Sequence, residues 1–480
     1  MTQMPDPTLL QAKRSDCGEV DEADVLQPLL DPAISSLVFD SQGTLLKLVG
    51  QYGSPLNIVW PDMLRRNVEA FRAVLNRHNV QSEIYYGAKV NKSLGLVRAA
   101  VEAAIGVDVS SIYEMRDALR ARIEPARLCA TGPAKTRVFH AALIANGALI
   151  AVDSVEEFND LDALVREIGL DRPTRVLLRY RPATCATSRF GMGADDLLAC
   201  LRRLTGLKNR FLFEGFHFHL GGYGHESRVQ AVRELTRFVV AARDMSLAPT
   251  ILDIGGGLPV QYIDSEAYEA FLRAQHSSDY RNGKVPASFY PYGGPVGACE
   301  WLDRFLQAPC ADGLSVARYL DAMQLTLAIE PGRSLADQTA ISVFRITRVK
   351  SLAADQVVIF AEGSSFSACE TWFASEFLVD PILVPAQVDS EDDGRPVRAW
   401  IAGHSCLDED VITNRLIHFQ RRPKTGDLLV YANAAGYQMD MLENEFHRHP
   451  MPRRISVVYN AAGGMQISPD DRMEYRNDFE

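Results

Sequence analysis

The sequence predicts an α/β protein, built from a (β/α)8 TIM-like barrel and a C-terminal, mostly antiparallel β domain. Strand-like and helix-like segments alternate about eight times between residues 83 and 330, which is typical of a closed parallel barrel. Beyond residue 336, β-rich segments follow one another with turns between them and few helical stretches. The alternative is an open doubly wound sheet, but no Gly-x-Gly-x-x-Gly motif follows the first strand.

The chain before the barrel is predicted to hold an extension, short strands and a helix. Residues 1–34 mix charged residues, prolines and short apolar clusters, so we expect a loosely attached N-terminal extension. Residues 35–57 are predicted to contain strands that join the β domain, near 37–39 and 45–49. Pro61 is expected to open a helix, because proline is favoured at a first helical position and apolar residues recur at helical spacing after it.

The predicted barrel spans residues 58–335. Helical periodicity occupies the stretches between its short apolar strands, for example 155–168 and 227–245. The stretch at about 259–325 is long for one strand-to-helix connection, so we expect an insertion with helix of its own over the barrel mouth. The strands are predicted near 83–88, 106–109, 127–131, 148–152, 174–180, 214–219, 250–254 and 325–330.

The β domain is assigned to residues 336–480. Its predicted strands are runs rich in β-branched and aromatic residues, which favour a pleated, half-buried surface. Turn residues separate the runs, as expected of antiparallel strands. They lie at 341–346, 357–360, 397–401, 428–431 and 455–459.

The composition is that of an ordinary globular protein, with 47% hydrophobic and 23% charged residues. The formal charge of −11 argues against a broad surface for nucleic acid or anionic membrane. No apolar run approaches the roughly 18 residues of a transmembrane helix, and the first residues lack the apolar core of a signal peptide. The eight scattered cysteines form no Cys-x-x-Cys pair, which favours reduced thiols. We therefore expect a cytoplasmic protein without metal, nucleic-acid or membrane partners.

Charged residues collect at the ends of the predicted strands, where the active site of such a barrel lies. Lys89 follows the first strand, and partial burial there is expected to lower its pKa and make it nucleophilic. Such a lysine can form a Schiff base with a carbonyl group, including that of pyridoxal phosphate. The other strand-end residues are Asp108, Asp153, Arg179, His219, Gly255, Gly256, Gly257 and Glu330.

These residue types are the ones that a phosphorylated aromatic cofactor would need. Three successive glycines, at 255–257, let backbone N–H groups approach a phosphate closely. Glu330 could pair with a protonated ring nitrogen, and Arg333 could bind phosphate through two hydrogen bonds. His219 could lie flat on an aromatic ring, and Gly221 and the glycine after it leave room for a ligand.

Several motifs, in order over roughly residues 36–465, resemble those of the fold-type III pyridoxal-phosphate (PLP)-dependent decarboxylases. This family includes the diaminopimelate, ornithine and arginine decarboxylases. The motifs here read Tyr-Gly-Ala-Lys-Val-Asn at 86–91, Asp-Val-Ser-Ser at 108–111, Ser-Arg-Phe-Gly at 188–191, Phe-His-Leu-Gly at 218–221, Asp-Ile-Gly-Gly-Gly at 253–257, Glu-Pro-Gly-Arg-Ser at 330–334, Gly-His-Ser-Cys at 403–406 and Ala-Gly-Tyr at 435–437.

The resemblance implies an amino-acid decarboxylase (a carboxy-lyase) that binds PLP through a Schiff base on Lys89 and releases the Cα carboxylate as CO2. It implies a homodimer with shared active sites, in which Cys406 reaches the neighbouring subunit and is the expected proton donor, with Lys89 or His219 as alternatives. The implied catalytic residues are Lys89, His219, Cys406 and Glu330. The predicted cofactor-binding residues are Arg179, from its position at a strand end, and, from the resemblance, Lys89, Asp108, His219, Gly255, Gly256, Gly257, Glu330, Arg333 and Tyr437.

The sequence departs from the family pattern where the substrate would bind. The family usually has an acid directly after the cysteine, to meet a distal amine, but here that residue is Leu407. Asp408 or Asp410 could substitute through a shift of the loop, so Cys406, Leu407, Asp408 and Asp410 are the predicted substrate-binding residues. The segment 362–370 also lacks the arginine that grips the distal carboxylate in diaminopimelate enzymes. We therefore expect an amino-acid substrate other than meso-diaminopimelate, although the motifs lie closer to that branch.

Two alternatives stay open. Amino-acid racemases use a similar barrel, but alanine racemases place an arginine rather than a carboxylate against the pyridine nitrogen, so Glu330 favours decarboxylation. A non-catalytic partner protein, like the antizyme inhibitors that resemble ornithine decarboxylase, is the second alternative. The retained residues Lys89, Glu330, Arg333 and Cys406 argue against it.

Overall fold

The computed structural model consists of a closed barrel of eight parallel strands and a separate nine-stranded sheet. It describes residues 25–352, 356–367, 370–371, 374–387, 395–441, 445–460 and 464–470. This architecture confirms the predicted fold class. None of the helices in the described part of the chain is long and apolar enough to span a membrane.

The elements before the barrel differ from the prediction. They are α1 (Pro32–Val38), α2 (Thr44–Tyr52), β1 (Leu56–Val59) and α3 (Pro61–Arg77). The strands predicted near 37–39 and 45–49 are therefore wrong, because both runs lie in helices. The Asp31 side chain caps α1 by accepting from the Ala33 N–H, and Pro32 occupies the first helical position. Only β1 joins the sheet, and α3 begins at Pro61 as predicted.

The described part of the N-terminal extension is held by the rest of the chain. Leu26 is fully buried, and its N–H donates to Asp380 Oδ2 at 2.9 Å. The Leu29 N–H donates to the Tyr262 carbonyl at 2.7 Å. The expectation of loose attachment is therefore wrong from residue 26 onward, whereas residues 1–24 lie outside the described residues.

The barrel alternates strands with helices. Alternate strand residues point inward, so that Tyr85, Cys129, Leu177 and Ala328 share one small buried cluster inside the barrel. The outward-facing residues pack against the helices in the largest apolar core of the molecule. The strands are β2 (Ser82–Gly87), β3 (Gly106–Val109), β4 (Leu128–Ala130), β5 (Leu149–Val152), β6 (Thr174–Arg179), β7 (Phe211–His217), β8 (Ile251–Asp253) and β9 (Thr326–Ile329). The helices between β2 and β8 are α4 (Leu94–Glu102), α5 (Ile112–Arg120), α6 (Arg137–Asn146), α7 (Val155–Ile168), α8 (Ala194–Thr205) and α9 (His225–Asp244).

The connection between β8 and β9 contains helices of its own. They are α10 (Ser265–Ala274), α11 (Ala298–Gln307) and α12 (Val316–Ala322). An aromatic segment between α10 and α11 carries Tyr290 and Tyr292, whose rings stack on each other at 4.6 Å between centroids. Tyr292 in turn stacks on Tyr262 and meets Phe377 of the β domain edge-on. This segment therefore joins the barrel to the β domain.

The β domain is built on β10, the longest strand, which pairs with β1, β11 and β15. Its main strand order is β14-β13-β11-β10-β1-β16-β17, and β15 also pairs with β12. The β1–β16 and β11–β13 pairs are parallel and the other pairs between its named strands are antiparallel. The strands are β10 (Ala340–Ser351), β11 (Gln356–Ala361), β12 (Ile382–Val384), β13 (Val397–Ala402), β14 (Val411–Phe419), β15 (Leu428–Ala432), β16 (Arg453–Tyr459) and β17 (Met465–Pro469).

The β domain also holds the loop that follows β2. The side-chain amide of Asn91 donates to the Ala435 carbonyl at 3.1 Å, and the Tyr437 N–H donates to the Val90 carbonyl at 2.9 Å. The Gly95 N–H, at the start of α4, donates to Asp470 at 2.8 Å. The segment around Lys89 is therefore fastened to the β domain on its C-terminal side.

Candidate active site

Lys89 lies in a 3-10 turn directly after β2, with its ammonium 3.2 Å from the Asp108 carboxylate at the end of β3. Partial burial would lower the pKa of Lys89, but Asp108, Glu330 and Tyr437 raise it above its ordinary value. The predicted lowering of this pKa is therefore wrong for the protein alone. Burial was the expected cause, but the nearby carboxylates outweigh it.

Asp108 is held by two side chains. Its other oxygen accepts a hydrogen bond of 2.8 Å from the Thr131 hydroxyl at the end of β4. Burial and the charge of Glu330 raise the pKa of Asp108, while Lys89 opposes that rise. Asp108 is therefore positioned to neutralise the Lys89 ammonium. Thr131 was not among the predicted site residues, although it ends a predicted strand and the same rule could have found it.

Glu330 follows β9 and points its fully buried carboxylate into the site. Neither carboxylate oxygen has a hydrogen-bond partner among the described residues. His217 Nε2 lies 3.3 Å from one oxygen, and His219 Nδ1 lies 3.6 Å from the other. Burial would raise the pKa of Glu330, but the two histidines and the charge of Lys89 lower it well below its usual range. Glu330 is thus an ionised carboxylate facing the site without a strong donor.

The neighbours of Glu330 stay neutral. Burial lowers the pKa of His217 to about 4, so this imidazole is uncharged at pH 7. Burial and the adjacent charge of Glu330 raise the pKa of Asp253 well above its usual range. The buried carboxylates of Asp253 and Glu330 lie within 4.8 Å of each other, so they do not both ionise. The negative charge resides on Glu330.

The glycine loop, residues 255–257 after β8, packs tightly against His219 and the Glu330 backbone. Gly255 has φ of +67°, and a Cβ at Gly256 would lie 2.5 Å from the Glu330 carbonyl oxygen. The Gly256 N–H donates to His219 Nδ1 at 3.3 Å, so His219 lies against this loop. Glycine is required here because any side chain would collide with the Glu330 backbone or with His219.

Arg228 was missed by the sequence analysis. It is completely buried, and its guanidinium donates to backbone carbonyls of the loop that follows His219, including Leu220 at 2.7 Å and Gly222 at 2.8 Å. No carboxylate pairs with it within the described part of the chain. Burial lowers its pKa to about 10. Arg228 therefore shapes the His219–Gly222 loop and adds positive charge behind the glycine loop. No sequence motif marked it, because it lies on a helix.

Arg179 and Asp153, at the ends of β6 and β5, form a buried ion pair of 2.8 Å. The second Asp153 oxygen accepts from the Gly191 N–H at 3.1 Å, and the Arg179 guanidinium lies over the Phe190 ring. The pair thereby fixes the 188–191 segment against the barrel rim. The cofactor-binding role of Arg179 stays a prediction.

A main cavity of about 690 Å³ lies at the C-terminal end of the barrel; Asp108, Asp253, Arg228 and the glycine loop are not among its lining residues. Its walls bring together Lys89, Arg179, His219 and Glu330, as predicted from the strand ends. Lys135, Ser188 and Arg189 also line it. The cavity is large enough for a cofactor together with a small substrate.

Arg333 and Tyr437 line a second cavity of about 460 Å³. The Arg333 guanidinium lies 4.1 Å from the Tyr290 ring centroid and 5.1 Å from that of Tyr437. Its Nη1 donates to the Tyr292 hydroxyl and to the Gln438 side-chain oxygen, both at 3.3 Å. The phosphate-binding roles of Arg333 and Tyr437 stay predictions.

Cys406 lies on an exposed loop between β13 and β14, where its N–H donates to His447 Nε2 at 3.3 Å. Leu407 is 42% exposed, and the Asp408 side chain is 93% exposed. None of the three is among the residues that line the main cavity of the described chain. The loop is thus presented outward.

Asp410 is buried beneath this loop. Its carboxylate accepts from the Ser365 N–H at 2.7 Å, the Ser365 hydroxyl at 2.9 Å and the Ser405 N–H at 3.0 Å. These bonds argue against the predicted substrate-binding role of Asp410, because both oxygens already brace the loop. The six described cysteines are free, and Cys17 and Cys369 lie outside the described residues.

The residues of the main cavity fit PLP. Glu330 offers an ionised carboxylate without a hydrogen-bond donor, which suits a protonated pyridine nitrogen. Lys89 offers a primary amine in the same cavity. The glycine loop leaves no space for a Cβ. Its Gly255 and Gly256 N–H groups donate to Asp253 and His219 in the protein alone, so its phosphate-binding role stays a prediction. Lys89, His219, Glu330 and the glycine loop would hold the cofactor.

Comparison with known proteins agrees with this chemistry. Residues 62–280 match the family model of the pyridoxal-dependent decarboxylase, pyridoxal binding domain. The chain is 55% identical over 446 residues to the uncharacterized protein y4yA of Sinorhizobium fredii, covering 93% of this chain and 96% of that protein. It is 22% identical over 437 residues to the diaminopimelate decarboxylase of Corynebacterium efficiens, covering 86% of this chain and 85% of that enzyme.

The fold has solved counterparts. The diaminopimelate decarboxylase of M. jannaschii superposes with a TM-score of 0.68 at 17% identity, covering 89% of this chain and 91% of that one. At this identity the likeness concerns the fold. Together with the family model and the site chemistry, it shows that the chain belongs to the fold-type III PLP-dependent amino-acid decarboxylase family and that its cofactor is pyridoxal 5'-phosphate.

Proposed function

We propose that this protein removes the α-carboxylate of an amino acid other than meso-diaminopimelate. The observation that carries the proposal is the ionised Glu330 carboxylate, which lies without a hydrogen-bond donor in the cavity that also holds Lys89 and His219. When bound, PLP supplies an electron sink for the electron pair left at Cα as CO2 departs.

The chain's own residues would support that chemistry in distinct ways. Lys89 would bind the cofactor covalently and is neutralised by Asp108 until then. Glu330 would hold a proton on the ring nitrogen, which strengthens the electron sink. His219, braced by the Gly256 N–H, would lie against the ring and exclude water from one face.

The substrate proposal is supported by the acidic character of the 362–370 segment. Its described residues, 362–367 and 370, include Glu362 and Glu370 and no arginine. Burial raises the pKa of Glu370, and Arg333 opposes that rise. A second carboxylate on the substrate would therefore approach an acidic group rather than an additional cation.

The test is incubation of the PLP-loaded protein with L-, D- and meso-amino acids in D2O, with CO2 and α-deuterium followed by mass spectrometry. We expect CO2 from at least one amino acid, with deuterium in the amine product. Deuterium exchange at Cα without CO2 would show a racemase, and the absence of both would show a non-catalytic partner protein.

We also propose a cytoplasmic homodimer in which each chain completes the other's site through Cys406. The outward position of the loop and its bracing by Asp410 support this proposal, because a rigid, exposed loop can enter a neighbouring cavity. Cys406 would donate the proton to Cα after CO2 has left.

Mixing two inactive variants tests the shared site. Cys406→Ala and Lys89→Ala should each lose most activity, since the first lacks the donor and the second the cofactor lysine. Co-refolded or co-expressed together, they should recover about one quarter of wild-type CO2 release, because half of the dimers carry one intact site. Recovery should not occur when Lys89→Ala is mixed with itself. If the mixture of Cys406→Ala and Lys89→Ala released no more CO2 than the two variants do separately, each chain would hold a complete site of its own.

A further inference from the structure

The second cavity adjoins the cofactor lysine through Tyr437. The backbone N–H of Tyr437 donates to the carbonyl of Val90, the residue after Lys89, and Tyr437 contributes to the raised pKa of Lys89. The ring of Tyr437 also forms a wall of the second cavity. A substrate bound at Lys89 could therefore extend its side chain along Tyr437.

Four of the ten residues that line this cavity are aromatic: Tyr223, Phe289, Tyr290 and Tyr437. Tyr223 and Tyr290 contact each other with ring centroids 4.5 Å apart, and Phe289 lies beside them on the aromatic segment. Met441 adds a flexible apolar side chain on the β-domain side. Such a lining gains most from an aromatic or bulky apolar group.

The charges in the cavity walls already satisfy one another. Glu370 accepts hydrogen bonds from the Tyr292 hydroxyl and from the Gln438 amide. The Arg333 guanidinium stacks on Tyr290 and bonds to the same tyrosine and glutamine. The cation and the carboxylate thus share one hydrogen-bonded network whose formal charges cancel. A charged end group of a substrate would have to break this network to gain a partner, whereas an uncharged group leaves it intact.

We propose that the second cavity receives the side chain of the substrate, in place of the phosphate contact predicted for Arg333, and that this side chain is bulky, uncharged and mainly apolar, as in the aromatic amino acids. The inference rests on the proposed decarboxylation, because it assumes that the substrate amine binds at Lys89.

The test measures both catalysis and binding with the PLP-loaded enzyme. CO2 release should be at least about tenfold more efficient, in kcat/KM, for phenylalanine, tyrosine or tryptophan than for lysine, ornithine, arginine or diaminopimelate. Calorimetric titration should show 2-phenylethylamine binding at least about tenfold more tightly than cadaverine, which requires no turnover.

Phe289→Ala should weaken 2-phenylethylamine binding about tenfold, and Phe289→Leu should restore most of it. Phe39→Ala is the matched control, since Phe39 is 62% exposed on the surface near α1, and its variant should bind as the wild type does. Because Phe289→Leu keeps an apolar side chain, it separates loss of the contact from loss of folding.

The outcomes separate the inference from the function on which it rests. Fastest CO2 release from lysine, ornithine or arginine would overturn the inference and leave the decarboxylase proposal standing. Phe289-dependent binding of 2-phenylethylamine without CO2 from any amino acid would uphold the cavity's preference and overturn decarboxylation. If neither CO2 release nor Phe289-dependent binding of 2-phenylethylamine were observed, both the inference and the proposed decarboxylation would be overturned.

Discussion

Replacement of Lys89 by alanine is expected to lower CO2 release by about three orders of magnitude or more. The Lys89 amine lies in the main cavity, at the end of β2. The charges of Asp108 and Glu330 raise its pKa. Without it, the cofactor has no covalent attachment to the strand, and substrate exchange at that position is lost. The measurement is the initial rate of CO2 release by the PLP-loaded variant with the best amino acid from the panel.

Lys92→Ala is the control for the Lys89 experiment. Lys92 lies three positions along the chain, and its side chain is 49% exposed. Its replacement removes a lysine from the same segment without touching the main cavity, so its rate should stay close to that of the wild type. A Lys89→Ala variant that kept more than about one tenth of the wild-type rate would exclude Lys89 as the cofactor lysine.

Replacement of Glu330 by glutamine is expected to lower CO2 release by about two to three orders of magnitude. The side chains are of nearly equal size, so the change removes the negative charge that would hold a proton on the cofactor ring. Because the Glu330 oxygens have no hydrogen-bond partner among the described residues, the charge is available to a ligand. Steady-state CO2 release and the absorption spectrum of the bound cofactor, as a function of pH, measure the effect.

Asp253→Asn provides a matched comparison, because Asp253 belongs to the same carboxylate cluster but is held protonated. Asparagine keeps an acceptor for the Gly255 N–H and is uncharged, as the protonated acid is, so the rate should fall less than about tenfold. Equal losses in the two variants would mean that the charge is not localised on Glu330.

The barrel was predictable because its signals are local and repeated. Each strand is a short apolar run followed by a helix, and the residues at the strand ends meet at one rim whatever the details of packing. Lys89, Arg179, His219 and Glu330 were found by that rule alone, and the structure brings them to one cavity.

The misses have physical causes. The runs at 37–39 and 45–49 are too short to distinguish strand from helix, and in the structure the Asp31 cap and flanking glycines decide for helix. Strand β14 was overlooked because the polar residues Asn414 and Arg415 interrupt its apolar pattern. They are buried through long-range partners, Glu376 and Asp380, which no local pattern shows.

The pairing of charges was also beyond a reading of the sequence alone. The position of Lys89 at a strand end suggests that it is buried. The direction of its pKa shift, however, depends on Asp108 and Glu330, which are 19 and 241 residues away in the sequence. Likewise, Asp410 resembled a substitute acid in sequence, but its contacts with Ser365 and Ser405 show a bracing role.

The fastening of the segment after β2 to the β domain bears on how this protein can change in evolution or by design. Asn91, Val90 and Gly95 are tied to Ala435, Tyr437 and Asp470, and Tyr437 also borders the second cavity. The register of Lys89 and the shape of the second cavity are thus inherited together. A chimera that exchanged β domains between relatives would therefore change both properties together.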